Sequence, residues 1–427
     1  MCMRTLGGSA MPLRFTRRSL VETSTLLVAG GFTAPAFLVR AAEATAPANA
    51  AIPGGKRALV VVQLGGGNDG LNTIVPYADR SYYQARPRLA IPEREVLPIS
   101  EYVGFNPALE PLLPLYAEGQ LAIVQGVGYP NPNRSHFRSM EIWHTAVPDE
   151  VVRTGWLGRY LHNTCCGEDR SAALQALNLG DSLPAAFWTE HVPVPSIANL
   201  NAFAIETDKK YQNERELRLD ILREIYEGMA SRRVYSEFLK DAGRNMMLLA
   251  QELQKVARSA PATSVKYPNT PFAQGLQMIA RLLSADLGTR VFYIATGGFD
   301  THANQLATHN RLLRNVAEGL QAFMNDLGER GRGDDVVVMV FSEFGRRVRE
   351  NGSAGTDHGA AAPMFLLGGK IRGGLHGTHP SLTELIDGDL RFTVDFRSVY
   401  AAVLQDWLGT DPWKVLPKAP PPIELFK

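Results

Sequence analysis

At 427 residues, with a formal net charge of +1 and 45% hydrophobic residues, the chain can bury a large core but carries no field to steer nucleic acid. No basic stripe interleaved with aromatics is present, so nucleic acid is not an expected partner. The cysteines, Cys2, Cys165 and Cys166, offer no Cys-His spacing for a thiolate zinc site, and the adjacent pair is a poor structural bridge.

In chain order, Arg14 and Arg17-Arg18 form a positive head before a weakly apolar run that reaches Val39. That run contains Glu22, a Gly pair and Pro35, which suits an export signal better than a membrane span. Thr16-Arg17-Arg18-Ser19-Leu20-Val21 resembles the bacterial twin-arginine signal, which implies the twin-arginine export machinery as a partner and a periplasmic or secreted protein. Ala42-Glu43-Ala44 and Ala48-Asn49-Ala50 both have the small-x-small form of a cleavage site. Residues 1–50 are therefore expected to be signal and spacer. Residues 51–427 should form one α/β domain, without a stable membrane span.

Ala58 to Leu64 is an apolar run bounded by basic residues and glycines, expected as the first central strand. Gly65 to Asn72 then turns the chain. It lacks the Lys-Ser/Thr pair of a phosphate-binding loop and the spacing of a dinucleotide fingerprint. Asp69 at this tip points to a metal or substrate, or Asn68 and Asp69 serve only as turn formers. A short helix is expected from about Pro107 to Glu118, and a second strand from Gln120 to Gln125. The Pro- and Asn-rich loop after it delivers Ser135, His136 and Phe137 to a helix that reaches His144. Ser135 stands in the N-cap position, where it can cap the helix or, flanked by Arg134 and Arg138, meet an anion.

Residues 206–258 are rich in charge, with Leu, Ile and Met at helical spacing and no proline, which predicts two long helices inserted outside the sheet. A helix over Phe272 to Leu287 and a strand over Arg290 to Ala295 follow, ending in Asp300-Thr301-His302. The helix Gln305 to Glu329 leads back to Val336–Phe341, whose unbroken β-branched run predicts a strand buried on both faces of a parallel sheet. This βαβ unit puts Asp300, His302 and Glu343 on one edge. Beyond that strand come Ser342, Glu343 and Arg346 and a Gly-rich loop ending in Thr356-Asp357-His358-Gly359, where ligands of open α/β sheets sit. Met364 to Leu367 should be a further strand, and Asp395 the N-cap of a closing helix that reaches Leu408. Carboxylate oxygens with neutral imidazole nitrogens suit zinc, manganese or iron.

The pieces LVVVQLGGGNDGLNTIVPY, NPNRSHFRSMEIW, GGFDTHANQ, VFSEFGRRVRENGSAGTDHG and VDFRSVYAAVLQDWLG resemble the exported bacterial family DUF1501, which is similar to the alkaline phosphatase and sulfatase superfamily. The resemblance implies a three-layer α/β/α sandwich with a largely parallel central sheet. It also implies a hydrolase of anionic phosphate or sulfate esters that holds one or two divalent metal ions. By that analogy Asp69, Asp300, His302, Glu343, Asp357 and His358 would be metal ligands. Ser135 would be the nucleophile, with His136, Arg138 and Arg346 as further catalytic residues and Arg134 helping to hold the anion. Phe344 stands where the superfamily has an imidazole, which leaves open a single or vestigial metal site, and with it a non-catalytic exported protein that binds the cell envelope.

Overall fold

The computed structural model describes residues 56–165, 175–189, 192, 194–197, 217, 220–221, 224–225, 255, 262–285 and 287–427. The expected export signal falls outside these residues. So does the helical insertion expected at about 206–258, apart from six scattered helical positions.

Nine strands form the central sheet: β1 (Ala58–Leu64), β2 (Leu121–Gly128), β3 (Ala176–Leu179), β4 (Ser196–Ile197), β5 (Val291–Thr296), β6 (Val336–Ser342), β7 (Ala362–Leu367), β8 (Gly374–His376) and β9 (Val394–Asp395). Their order is β8-β2-β7-β6-β1-β5-β3-β4, with β9 also on β2. Every pairing is parallel except the two made by β7, with β6 and with β2. The expected largely parallel sheet is thus present, with one reversed strand inside it.

Alternation along β1 explains the layers. Ala58, Val60, Val62 and Leu64 face one core, which also holds residues of α3 (Pro271–Ser284) and α4 (Gln305–Glu329). Leu59 and Val61 face the other, shared with α1 (His136–Thr145), α2 (Trp156–Cys165) and α5 (Phe396–Ala402). A strand covered by helices on both sides has no polar face to show, so its sequence is apolar throughout.

Two expected helices come out differently. Pro107–Leu112 is 3₁₀ and only Leu113–Ala117 is α-helical, because Pro111 and Pro114 interrupt the regular ladder. The closing helix ends at Ala402 and continues as a π-helical turn, Val403–Trp407. Its expected cap is in place, since the Asp395 side chain accepts from the Arg397 N–H at 2.9 Å.

Candidate metal centre

The carboxyl ends of β1, β5 and β6 lie side by side, and glycine lets their loops close on one another. Gly66 and Gly67 have φ of +118° and +75°. A Cβ on Gly66 would strike the Asp300 backbone, and one on Gly67 the Phe344 ring. The Gly66 N–H donates to Glu343 Oε1 at 2.8 Å, and the Asn68 N–H to Ser342 Oγ at 2.9 Å. Arg346, buried at their centre, donates from Nε to Gly67 O (2.7 Å), from Nη1 to Thr356 O (2.8 Å), and from Nη2 to Phe299 O (3.0 Å), Asp300 Oδ1 (2.7 Å) and Gly66 O. One guanidinium therefore pins three loops and the Asp300 carboxylate.

Around Asp300 stand three imidazoles, each anchored through Nδ1. His358 Nδ1 lies 2.7 Å from Arg134 O, His136 Nδ1 lies 2.9 Å from Glu343 Oε1, and His302 Nδ1 lies 3.4 Å from Asp357 Oδ1. Carbonyl and carboxylate oxygens only accept, which puts a ring hydrogen on Nδ1 and turns Nε2 of each ring toward the centre, where it is a ligand atom whenever it carries no proton. All three Nε2 atoms point inward. Those of His302 and His358 are each 3.0 Å from Asp300 Oδ1 and 2.9 Å from each other, and that of His136 is 3.4 Å from Asp300 Oδ2. This last contact is not aligned as a hydrogen bond, so His136 Nε2 is a buried polar atom without a partner. Phe344, buried, packs its ring 4.9 Å from that of His136 and 4.7 Å from that of His358, which fixes how both are turned.

Charge sharpens the arrangement. Burial works to raise the Asp300 pKa, but the hydrogen bonds with Arg346 and His358 outweigh it and hold it at about 2. Asp357 is also held below the ordinary carboxylate range, first by its hydrogen bond from Asn351 and, against partial burial, by His302. Imidazole nitrogens and an ionised carboxylate at about 3 Å repel unless a proton or a metal cation lies among them. Histidines that bind metal through one nitrogen donate the other N–H to a carboxylate or carbonyl, as His136 and His358 do here, with His302 Nδ1 3.4 Å from Asp357. The donor atoms of His136, Asp300 and His358 lie within 4.8 Å of one another. The residues present thus fit a divalent ion of the zinc, manganese or iron class.

The family described as protein of unknown function DUF1501 matches residues 122–412, more than half of the chain. The chain belongs to the DUF1501 family. No curated protein matches it. Among solved structures, this DUF1501 chain is similar to a protein in the alkaline phosphatase superfamily from Vibrio parahaemolyticus, with TM-score 0.35, 12% identity and cover of 80% of this chain and 70% of that one. It is also similar to the PsFucS1 sulfatase from Pseudoalteromonas sp. (0.36, 10%, 82% and 67%) and to the lipoteichoic acid synthase LtaP from Listeria monocytogenes (0.32, 8%, 79% and 70%). No helix among its described residues is long and apolar enough to cross a membrane.

Of the six expected ligands, the DUF1501 chain brings Asp300, His302 and His358 into direct contact. Glu343 and Asp357 stand one step out, behind His136 and His302. Asp69 stands apart from the group. It is fully buried, with Oδ2 held 2.6 Å from Arg86 Nη1 and also bonded by Gln305. Burial works to raise its pKa, yet Arg86 and its other partners hold it low. Asp69 is thus engaged in a buried ion pair, which nothing in the Gly-rich motif foretold.

Among the expected catalytic residues, His136 faces the centre, and its Nε2 makes it a ligand candidate as well, a role its sequence position did not suggest. Ser135 caps α1 in position only: it is exposed and its side chain makes no cap hydrogen bond. It sits between His136 and Arg134, whose carbonyl holds His358. Arg138 turns away, donating to Pro148 O and Glu150 O at 3.0 and 3.2 Å and pairing with Glu141. Arg134 donates to Asp389 at 2.7 Å. Arg346, 1% exposed, has every nitrogen on a protein acceptor, so it positions Asp300 and cannot reach an incoming anion as expected.

Proposed function

We propose that this DUF1501 protein is an exported, metal-dependent hydrolase of phosphate or sulfate esters. One observation carries the reading: three imidazoles, each with Nδ1 facing a protein oxygen, turn their Nε2 atoms toward a single ionised carboxylate. His136, His302, His358 and Asp300 would hold the ion, with Glu343, Asp357 and the Arg134 carbonyl orienting the rings. When bound, such a cation polarises phosphoryl or sulfuryl oxygens. Ser135 would supply the attacking hydroxyl beside it, and the first N–H groups of α1 would bear part of the oxyanion charge. Elemental analysis of the purified protein should find near-stoichiometric zinc, manganese or iron. A panel of aryl phosphates, diesters and sulfates, with each metal supplied, should then show turnover, and silence across it counts against hydrolysis.

A second reading, an exported binding protein that keeps the fold and a structural cation, is favoured by one fact. Arg134, Arg138 and Arg346 are all committed to protein acceptors. Stoichiometric metal with no turnover on the panel is its expected signature. Export itself rests on Arg17-Arg18 and the run that follows. A reporter fused to residues 1–50 that stays in the cytoplasm, with an intact twin-arginine system, would remove that part.

A further inference from the structure

A cavity of about 690 Å³ opens beside the imidazole cluster, and Gly66, His136 and Glu343 form the end of it nearest Asp300. Away from His136 its wall changes character. Met140 and Val152 line it, and Phe137, Val151 and Trp188 stand around it. Phe137 is 91% exposed, Val151 75% and Trp188 53%. Single exposed apolar side chains are ordinary, but a group of them beside a polar centre marks a ligand surface.

Gln63 and His144 supply the polar part of the wall. Gln63 Oε1 accepts from the Tyr293 hydroxyl and lies 3.1 Å from His144 Nε2, which leaves the Gln63 amide N–H₂ as the donor for a guest. Burial lowers the His144 pKa to about 4, so the ring adds no charge at neutral pH. Arg153 is the only arginine or lysine on the wall among the described residues, and the Glu141 there already pairs with Arg138. A polyanionic chain would find no basic track. A volume of this size suits a small molecule held by apolar faces and a few directed polar groups.

We infer that this cavity is the subsite for the non-reacting part of the ester, and that this part is an uncharged, flat, apolar group carrying one hydrogen-bond acceptor. The inference rests on the hydrolase reading for the position of the reacting end. Aromatic edges and faces at Phe137 and Trp188 grip such a group, and the Gln63 amide meets its acceptor. Specificity would then come from the leaving group's apolar body, since the centre itself sees only the anion.

The test uses 1-naphthol, a neutral aromatic alcohol of the product class, and the full-length protein. Naphthol should quench tryptophan fluorescence saturably. Trp188→Ala and Phe137→Ala should each weaken its binding by roughly ten-fold, as loss of an aromatic contact does. Both side chains are exposed, so the variants should retain the wild-type circular dichroism. With the metal-loaded enzyme, the same variants should raise KM for 1-naphthyl phosphate or sulfate by about ten-fold and leave KM for the methyl ester unchanged. Absence of naphthol binding to the wild type, or equal effects on both esters, overturns the subsite. If no ester is turned over but naphthol binds and Trp188→Ala and Phe137→Ala each weaken it by roughly ten-fold, the hydrolase reading falls and the apolar subsite stands.

Discussion

His358 Nε2 lies 3.0 Å from Asp300 Oδ1, while the other nitrogen of the same ring is 2.7 Å from a carbonyl that can only accept. The two inward atoms cannot hydrogen-bond each other unless a proton is added between them. Filling the centre with zinc should therefore expel about one proton per ion, because the metal takes the place that proton holds. Calorimetry in buffers of different ionisation enthalpy measures this directly. Zinc uptake without proton release would contradict a hydrogen bond between His358 and Asp300.

Glu343 contacts His136, not the centre, so its influence should pass through the ring. Glu343→Gln keeps the shape but removes the negative charge behind the ring. Metal affinity should fall by roughly 10–100-fold, as for other outer carboxylates, with the fold intact. Competition against a chelator of known affinity reads the change.

Asp69 and Arg86 are both fully buried and 2.6 Å apart. Asp69→Asn leaves a guanidinium charged in the interior and should cost about 3–5 kcal/mol. The double variant Asp69→Asn with Arg86→Met should recover part of that loss. Metal content per folded molecule should stay near wild type in urea-unfolding samples that remain native, since the pair is not part of the centre.

Arg346 binds Gly67 O, Thr356 O, Phe299 O and Asp300 at once, which a flexible ammonium cannot do. Arg346→Lys should cost about 2 kcal/mol or more, since several buried carbonyls lose their donor. Hydrogen exchange should speed up first in the loops at Gly66–Asn68 and Thr356–His358.

His144 and His309 are both buried, and burial lowers each pKa to about 4. In the unfolded chain each titrates near 6.5. Between about pH 6.5 and 4 the unfolded state binds more protons than the folded one, so stability falls as pH drops through that window and is unaffected by these rings above it. Each can contribute up to ~3 kcal/mol to the loss. His309→Gln and His144→Gln should each flatten the pH dependence of the urea midpoint over that range.

Much of the frame could be read from sequence because its causes are local. The β1 and β6 runs are apolar since both faces are covered, and Gln305–Glu329 begins and ends where its periodicity does. Asp395 caps the helix two residues ahead of it. The centre was half legible: Asp300, His302 and His358 stand at strand ends, where topology alone brings them together. The place of His136 beside Asp300 was not legible, because a histidine in the first turn of a helix carries no spacing signal toward it. The ion pair of Asp69 was hidden for a different reason. Arg86, which claims it, follows in an unremarkable stretch, and only the tertiary fold brings the two together inside the core.

His136, Asp300 with His302, and His358 come from segments separated by whole helices and strands, and Arg346, which clamps Asp300, arrives only near the end of β6. During synthesis the full constellation cannot form before β6 and the loop after it have been made, because His358 is the last of its donors in the chain. An ion held by all of them must therefore enter a chain in which β1 to β6 are already present. On the proposed folded export, the ion would be picked up on the side where the chain folds, and the cytoplasmic metal supply would set which element it holds.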